Sequence, residues 1–160
     1  MIDIQDNFLD KINSLVISKS IYETNFPWYY NEGKSFKGDG FFQFTHTLMY
    51  DGKVNSDYFK IFEPIFIKLN TKILHKCKLN LTTKQKKITN FDFHTDVNIE
   101  NSKTAVYYIN SNNGYTIFEN KKKVYSKENR IVIFNSSLKH AGSTHTDENI
   151  RLVLNINYEN

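Results

Sequence analysis

A histidine and an aspartate stand two residues apart in the stretch NFDFHTD, residues 90–96, as His94 and Asp96. Side chains alternate between faces along a strand, so such positions project together. An imidazole and a carboxylate aimed at one point can bind a metal, relay a proton or simply satisfy each other. A facial triad for non-haem Fe(II) needs two imidazoles and one carboxylate on one side of the ion, with the other positions left open. The chain has five histidines, His46, His75, His94, His140 and His145. Of these, His140 in SSLKHAGS sits on a distant predicted strand, close to a glycine that permits a tight turn. It completes the candidate set.

The last predicted strand, NIRLVLNINY, carries a second signal. Leu152, Leu154, Ile156 and Tyr158 alternate with Arg151, Val153, Asn155 and Asn157. The apolar set is expected to pack outward against helices, and the other set to face a barrel interior. An arginine inside is costly unless it meets an anion. Guanidinium grips a carboxylate through two parallel hydrogen bonds, so a dicarboxylate ligand would suit it. In TAVYYIN, Val106 and Tyr108 share one face, and the Tyr108 hydroxyl is placed to share that carboxylate.

Elements must position these groups. The stretch IDIQDNFLDKINSLVIS puts Ile4, Phe8, Ile12 and Leu15 at helical spacing, which predicts a helix over 3–17. GFFQFTHTLMYDG reads as a strand ending in a turn at Asp51-Gly52. Ser56 is a candidate N-cap for a second helix running through TKIL, with Tyr58, Phe62, Ile65 and Leu69 as its buried stripe and a break at Pro64. From residue 76 the pattern changes to eight short β-branched or aromatic runs, NFDFHTD among them, separated by polar turns such as 111–114. Two helices followed by many short strands predict an α+β fold with a jelly-roll core, and no linker divides the chain.

Composition bounds the class. The chain has 160 residues, 39% hydrophobic and 15% aromatic, enough for one domain with a real core. It lacks an apolar run near the ~18 residues of a membrane span and a secretory-type leader, so a cytoplasmic protein is expected, with no membrane partner. The lone cysteine, Cys77, excludes an internal disulfide and a cysteine-rich zinc site within the chain. It reads as a small buried hydrophobe. Net charge is +4, with lysines clustered at 82–89 and 120–127. Such clusters suit solvated loops and strand edges as well as a nucleic-acid groove.

Taken in order, H-x-D at His94 and Asp96, the strand Tyr107–Asn110, an Asn-Gly turn, H-A-G from His140, and Arg151 resemble the Fe(II)/2-oxoglutarate-dependent dioxygenases. The likeness is to the prolyl-hydroxylase-like branch, including small phage and marine bacterial members. The segments FPWYY (26–30) and QFTHT (43–47) also read like those members. The resemblance covers most of the chain. It implies a double-stranded β-helix (jelly roll) with N-terminal helices packed on one sheet. One oxygenase domain would span 1–160, with helical support over 1–75 and the jelly roll over 76–160. It implies His94, Asp96 and His140 as iron ligands, with Arg151 on the distal carboxylate of 2-oxoglutarate. Tyr108, Asn80 and Val153 would line that pocket. O2 and 2-oxoglutarate would be co-substrates, and a C–H of a peptide or protein residue or small metabolite would be hydroxylated with release of succinate and CO2. Halogenating relatives have a small residue where Asp96 stands, so the carboxylate points to hydroxylation or a related oxidation. Trp28, Tyr29, His46, Asn155 and His145 are substrate-pocket candidates, although His145 lies in a loop expected to be exposed and His75 reads as a helix-end residue. The chain departs from the family pattern in a short loop at 97–103 and in YTIF, which lacks a second glycine.

Other readings compete. A non-catalytic jelly-roll module would keep the pocket and lack turnover, and the complete ligand set argues against it. An AlkB-like nucleic-acid demethylase carries a second arginine where this chain has Asn157. A cupin-like enzyme would leave the interior Arg151 without a purpose.

Overall fold

The first chain segment pairs as a strand before any helix begins. β1 (Ile2–Gln5) runs antiparallel to β9 (Arg130–Asn135), with Ile2 opposite Phe134. Asn7 then turns through a positive φ of 52°, and the Asp10 carboxylate accepts hydrogen bonds from the Ile12 and Asn13 amides. That cap starts α1 at Lys11, and α1 extends to Tyr22. The helix expected over 3–17 is therefore displaced, and its inward face is Ser14, Ile17 and Ile21 rather than Ile12 and Leu15, which are exposed. Ile4 and Phe8 matched helical spacing because a strand and a loop happened to place apolar residues four apart. The computed structural model describes residues 1–23, 25–34, 38–97 and 99–160. Asn98 in the loop 97–103 lies outside them.

β2 (Tyr29–Glu32) and β3 (Phe42–Tyr50) follow, and β3 turns through Asp51 and Gly52, both at positive φ, into β4 (Lys53–Val54). Two left-handed residues are what a tight two-residue hairpin requires. Ser56 caps the next segment as expected, its hydroxyl accepting from the Tyr58 amide. That segment is a 3-10 helix over Asp57–Phe62, followed by α2 (Glu63–Lys68) with Pro64 in its first turn, where a missing amide costs little. The helix stops well before TKIL. Ile73 already belongs to β5 (Ile73–Thr83), and His75 is a strand residue whose Nε2 lies 2.7 Å from Glu159 Oε1.

The remaining strands are β6 (Lys103–Tyr108), β7 (Tyr115–Phe118), β8 (Lys123–Tyr125), β10 (His140–Gly142) and β11 (Ile150–Glu159). The large antiparallel sheet has the order β1-β9-β6-β11-β5-β3-β2, with β4 on β3, and the small one has β10-β7-β8. The fold is a jelly roll whose helices cover the outer face of the large sheet. Residues 1–75 are not only helical support, since β1 to β4 join that sheet. NFDFHTD forms no regular strand. It meets the small sheet through single bridges, Asn90 to Ser143 and His94 to His140.

β11 explains why the two faces differ. Leu152, Leu154, Ile156 and Tyr158 join α1, the 3-10 helix and α2 in the main core with Ile17, Phe62 and Ile65. Each such side chain, fully buried, contributes about 1.5–3 kcal/mol. Cys77 is buried in the same cluster, as expected. The alternate residues of β11 face the small sheet across a cavity. Among the described residues no helix is long and apolar enough to cross a membrane.

Candidate metal centre

His94 and His140 are paired backbone to backbone, each amide donating to the other's carbonyl at 3.0 Å. This bridge brings the two rings to a centroid separation of 4.8 Å. Both rings are oriented in the same way. His94 Nδ1 lies 3.1 Å from the Asp92 carbonyl and His140 Nδ1 lies 3.1 Å from the Leu138 carbonyl. A carbonyl only accepts, so each Nδ1 carries the proton and each Nε2 offers a lone pair. Those lone-pair nitrogens flank one carboxylate. His94 Nε2 is 3.7 Å from Asp96 Oδ1, and His140 Nε2 is 3.6 Å from Asp96 Oδ2.

The carboxylate is held in turn. Asn157 Nδ2 donates to Asp96 Oδ2 at 3.2 Å and to Thr104 Oγ1 at 3.0 Å. Phe134 packs 4.7 Å from the His140 ring, which is almost fully buried. Burial lowers the His140 pKa, against the opposing pull of Asp96, and so favours the neutral, ligating form. His94 is the open side of the triad, with 44% of its side chain exposed. The three ligand atoms lie within 4.8 Å of one another. Ligands at about 2.1 Å in adjacent positions around an ion sit about 3 Å apart, so the donor set fits a divalent metal with small inward movements.

A cavity of about 310 Å³ opens beside the triad, between the sheets, and Asn80, Val153, Asn155, Asn157 and Arg151 from β5 and β11 line it. Arg151 is 3% exposed, and its Nε donates to Ser126 Oγ at 2.9 Å. Among the described residues it forms no ion pair. Its passage requires Gly114, because a Cβ there would lie 2.8 Å from Arg151 Cδ. Directly across the β5–β11 register stands Thr82, whose buried Oγ1 has no hydrogen-bond partner. A buried cation without an ion-pair partner suits an anionic ligand. A dicarboxylate such as 2-oxoglutarate is such a ligand.

The structure thus brings His94, Asp96, His140, Arg151, Asn80, Val153 and Asn155 to one cavity. Tyr108 is adjacent but differently used. Its hydroxyl donates to Thr116 Oγ1 at 2.8 Å and lies 3.2 Å from the Val124 carbonyl, while the Arg151 guanidinium lies 5.8 Å from its ring. Thr116, rather than Tyr108, lines the cavity.

Four of the substrate-pocket candidates lie outside the cavity lining. His46 is buried on the helix side of the large sheet, Nδ1 donating to the Pro27 carbonyl at 2.7 Å and Nε2 accepting from Ser56 Oγ at 2.6 Å. Both nitrogens are consumed by structure. Trp28 packs against the main core with its ring 5.0 Å from Phe26. His145 is fully buried rather than exposed, with neither ring nitrogen hydrogen-bonded, and burial and then the Arg151 charge lower its pKa. Tyr29 is exposed on the edge strand β2, outside the cavity lining.

Lys34, Gln43, Lys76, Lys78 and Thr116 also line the cavity. Two of them were readable: once Asn80 is placed inward, strand alternation places Lys78 and Lys76 beside it.

The sequence matches no family model and no curated protein. Solved structures do match in fold. The epimerase SnoN from nogalamycin biosynthesis, in complex with Fe3+, alpha ketoglutarate and nogalamycin RO, superposes with a TM-score of 0.71 at 11% identity, over 99% of this chain and 78% of that one. A Pseudomonas putida prolyl-4-hydroxylase gives 0.62 at 12% identity, over 99% and 92%. HygX from Streptomyces hygroscopicus, with nickel and 2-oxoglutarate bound, gives 0.64 at 7% identity, over 99% and 82%. At these identities the likeness establishes the fold, a jelly roll shared with 2-oxoglutarate-dependent enzymes.

Proposed function

We propose that the protein is an Fe(II)- and 2-oxoglutarate-dependent dioxygenase that hydroxylates a C–H bond of a small molecule or a peptide or protein residue. The observation that carries this reading is one cavity holding two like-oriented imidazoles, a carboxylate and a buried, unpaired arginine. Structural neighbours crystallised with iron or nickel and 2-oxoglutarate support it. Neighbours solved in complex with nogalamycin RO or with a hypoxia-inducible-factor peptide fragment keep both substrate types open.

His94, Asp96 and His140 would hold the ion. Bound iron, with 2-oxoglutarate and O2, supplies the oxidising chemistry, which yields succinate and CO2 as the substrate is hydroxylated. The chain's own residues bind and orient. Backbone carbonyls of Asp92 and Leu138 orient both rings so that their Nε2 atoms would be free to hold the ion, and Asn157 fixes the Asp96 carboxylate. Arg151, held by Ser126 and backed by Tyr108, would take the distal carboxylate of the 2-oxo acid. Val106 and Val153 provide apolar walls to the cavity. A cytoplasmic setting suits a lone buried thiol and a ferrous ion.

The test is turnover. Fe(II)-loaded protein with 2-oxoglutarate in air should form succinate, and Asp96→Ala should form none above the iron-only control. Equal succinate from the wild type and the variant would refute the assignment.

A further inference from the structure

Besides Arg151, three lysines line the cavity that contains the triad: Lys34, Lys76 and Lys78. All three lysines are partly buried, and none forms an ion pair among the described residues. Lys34 Nζ donates to the Gln43 side-chain carbonyl at 2.7 Å, a neutral partner, and lies 5.6 Å from the Phe91 ring centroid. Lys76 and Lys78 stand on β5 directly across from Asn157 and Asn155 of β11, so this flank of the triad holds two cations facing two amides.

The charge does not balance within the proposed catalytic complex. Among the residues that line the cavity, four basic groups against Asp96 leave a formal excess of 4 − 1 = 3. Lys34 carries only part of its charge at neutral pH until an anion binds, and Asp39, outside the lining, offsets some of the excess. A divalent metal and a dianionic 2-oxo acid cancel each other, so the excess survives loading. Concentrated positive charge in a partly dry cleft raises the local concentration of anions and costs stability until one binds. The cost is visible at Lys34, whose pKa is pushed down to about 7 by burial and then by the Arg151 and Lys78 charges, against the opposing pull of Asp96 and Asp39. Burial, and then Lys76, also lowers that of Lys78.

We infer that the primary substrate is an anion, carrying a carboxylate or phosphate that Lys34, Lys76 and Lys78 grip while its C–H faces the metal. This rests on the dioxygenase reading and names its substrate class. The lysines recognise charge, as flexible point cations, rather than a single planar group. Two chemistries share that property, and the test separates them.

The experiment uses protein loaded with redox-inert Zn(II) and 2-oxoglutarate, and calorimetry with matched pairs whose α-carboxyl is capped: the N-acetyl, α-N-methylamide derivatives of L-aspartate against L-asparagine, and of O-phospho-L-serine against L-serine. At least one anion should bind tenfold or more tightly than its neutral counterpart, and the pair that discriminates identifies carboxylate or phosphate. Binding should weaken with salt and fall fivefold or more in Lys78→Met, with recovery in Lys78→Arg. Both anions binding no better than their neutral counterparts, or Lys78→Met retaining full affinity, would overturn the inference. A protein that fails to take up 2-oxoglutarate at all fails the dioxygenase reading instead, and the two failures are thereby distinct.

Discussion

The two faces of β11 have opposite tasks. Outward, Leu152, Leu154, Ile156 and Tyr158 are almost completely buried under the helices and supply cohesion. Inward, Arg151, Val153, Asn155 and Asn157 line a polar cavity in which a buried guanidinium has no anion. One strand therefore carries both the stability of the fold and a feature that weakens it. The difference teaches where selection for chemistry acts: the inward face tolerates uncompensated charge because a ligand is meant to complete it.

Breaking the outward face should produce the largest change. Leu154→Ala removes a fully buried side chain and should lower unfolding free energy by about 2–5 kcal/mol in a denaturant titration. Asn155→Ala, its inward neighbour, should cost far less. Next in size, Arg151→Met should leave the unfolding midpoint of the metal-free protein unchanged or raise it, because an unpaired buried charge is replaced by an apolar chain. The same variant should lose affinity for 2-oxoglutarate by tenfold or more, read by calorimetry.

A smaller effect is expected at Asn157, which touches Asp96 but not the ion site itself. Asn157→Ala should weaken Fe(II) binding by about tenfold, the usual scale for a group that orients a ligand. An effect of a different kind, on pH dependence, is expected at Lys34. Its folded pKa, about 7, lies below the ordinary lysine value of 10.5, so between these limits the unfolded chain binds more protons. Stability of the metal-free protein should therefore rise with pH across that window, and Lys34→Met should flatten the slope.

Most of the inward face was legible in the sequence because strand alternation is strict. Once Arg151 was read as interior, Val153, Asn155 and Asn157 followed. Alternation on β5 likewise places Lys78 on the same face as Asn80. Other features were not legible, for physical reasons. His94 and Asp96 converge without a regular strand, held by one bridge to His140, and no periodicity encodes a single bridge. His46 sits one residue from Thr45, on the opposite face, and its two hydrogen bonds come from Pro27 and Ser56, which only the fold brings near. Lys34 reaches the cavity from a segment after β2 that carries no pattern. At the N-terminus, Ile4 and Phe8 have helical spacing, yet pairing with β9 and the Asp10 cap decide otherwise.

The central claim is that the inward face binds a ferrous ion and a 2-oxo acid together. The most direct measurement is anaerobic visible absorption as Fe(II), then 2-oxoglutarate, are added to metal-free protein, with Asp96→Ala and Arg151→Ala in parallel. The account predicts a charge-transfer band that requires both additions, is absent in Asp96→Ala and is weakened in Arg151→Ala. No band in the wild type, or one of equal strength in Asp96→Ala, would contradict it.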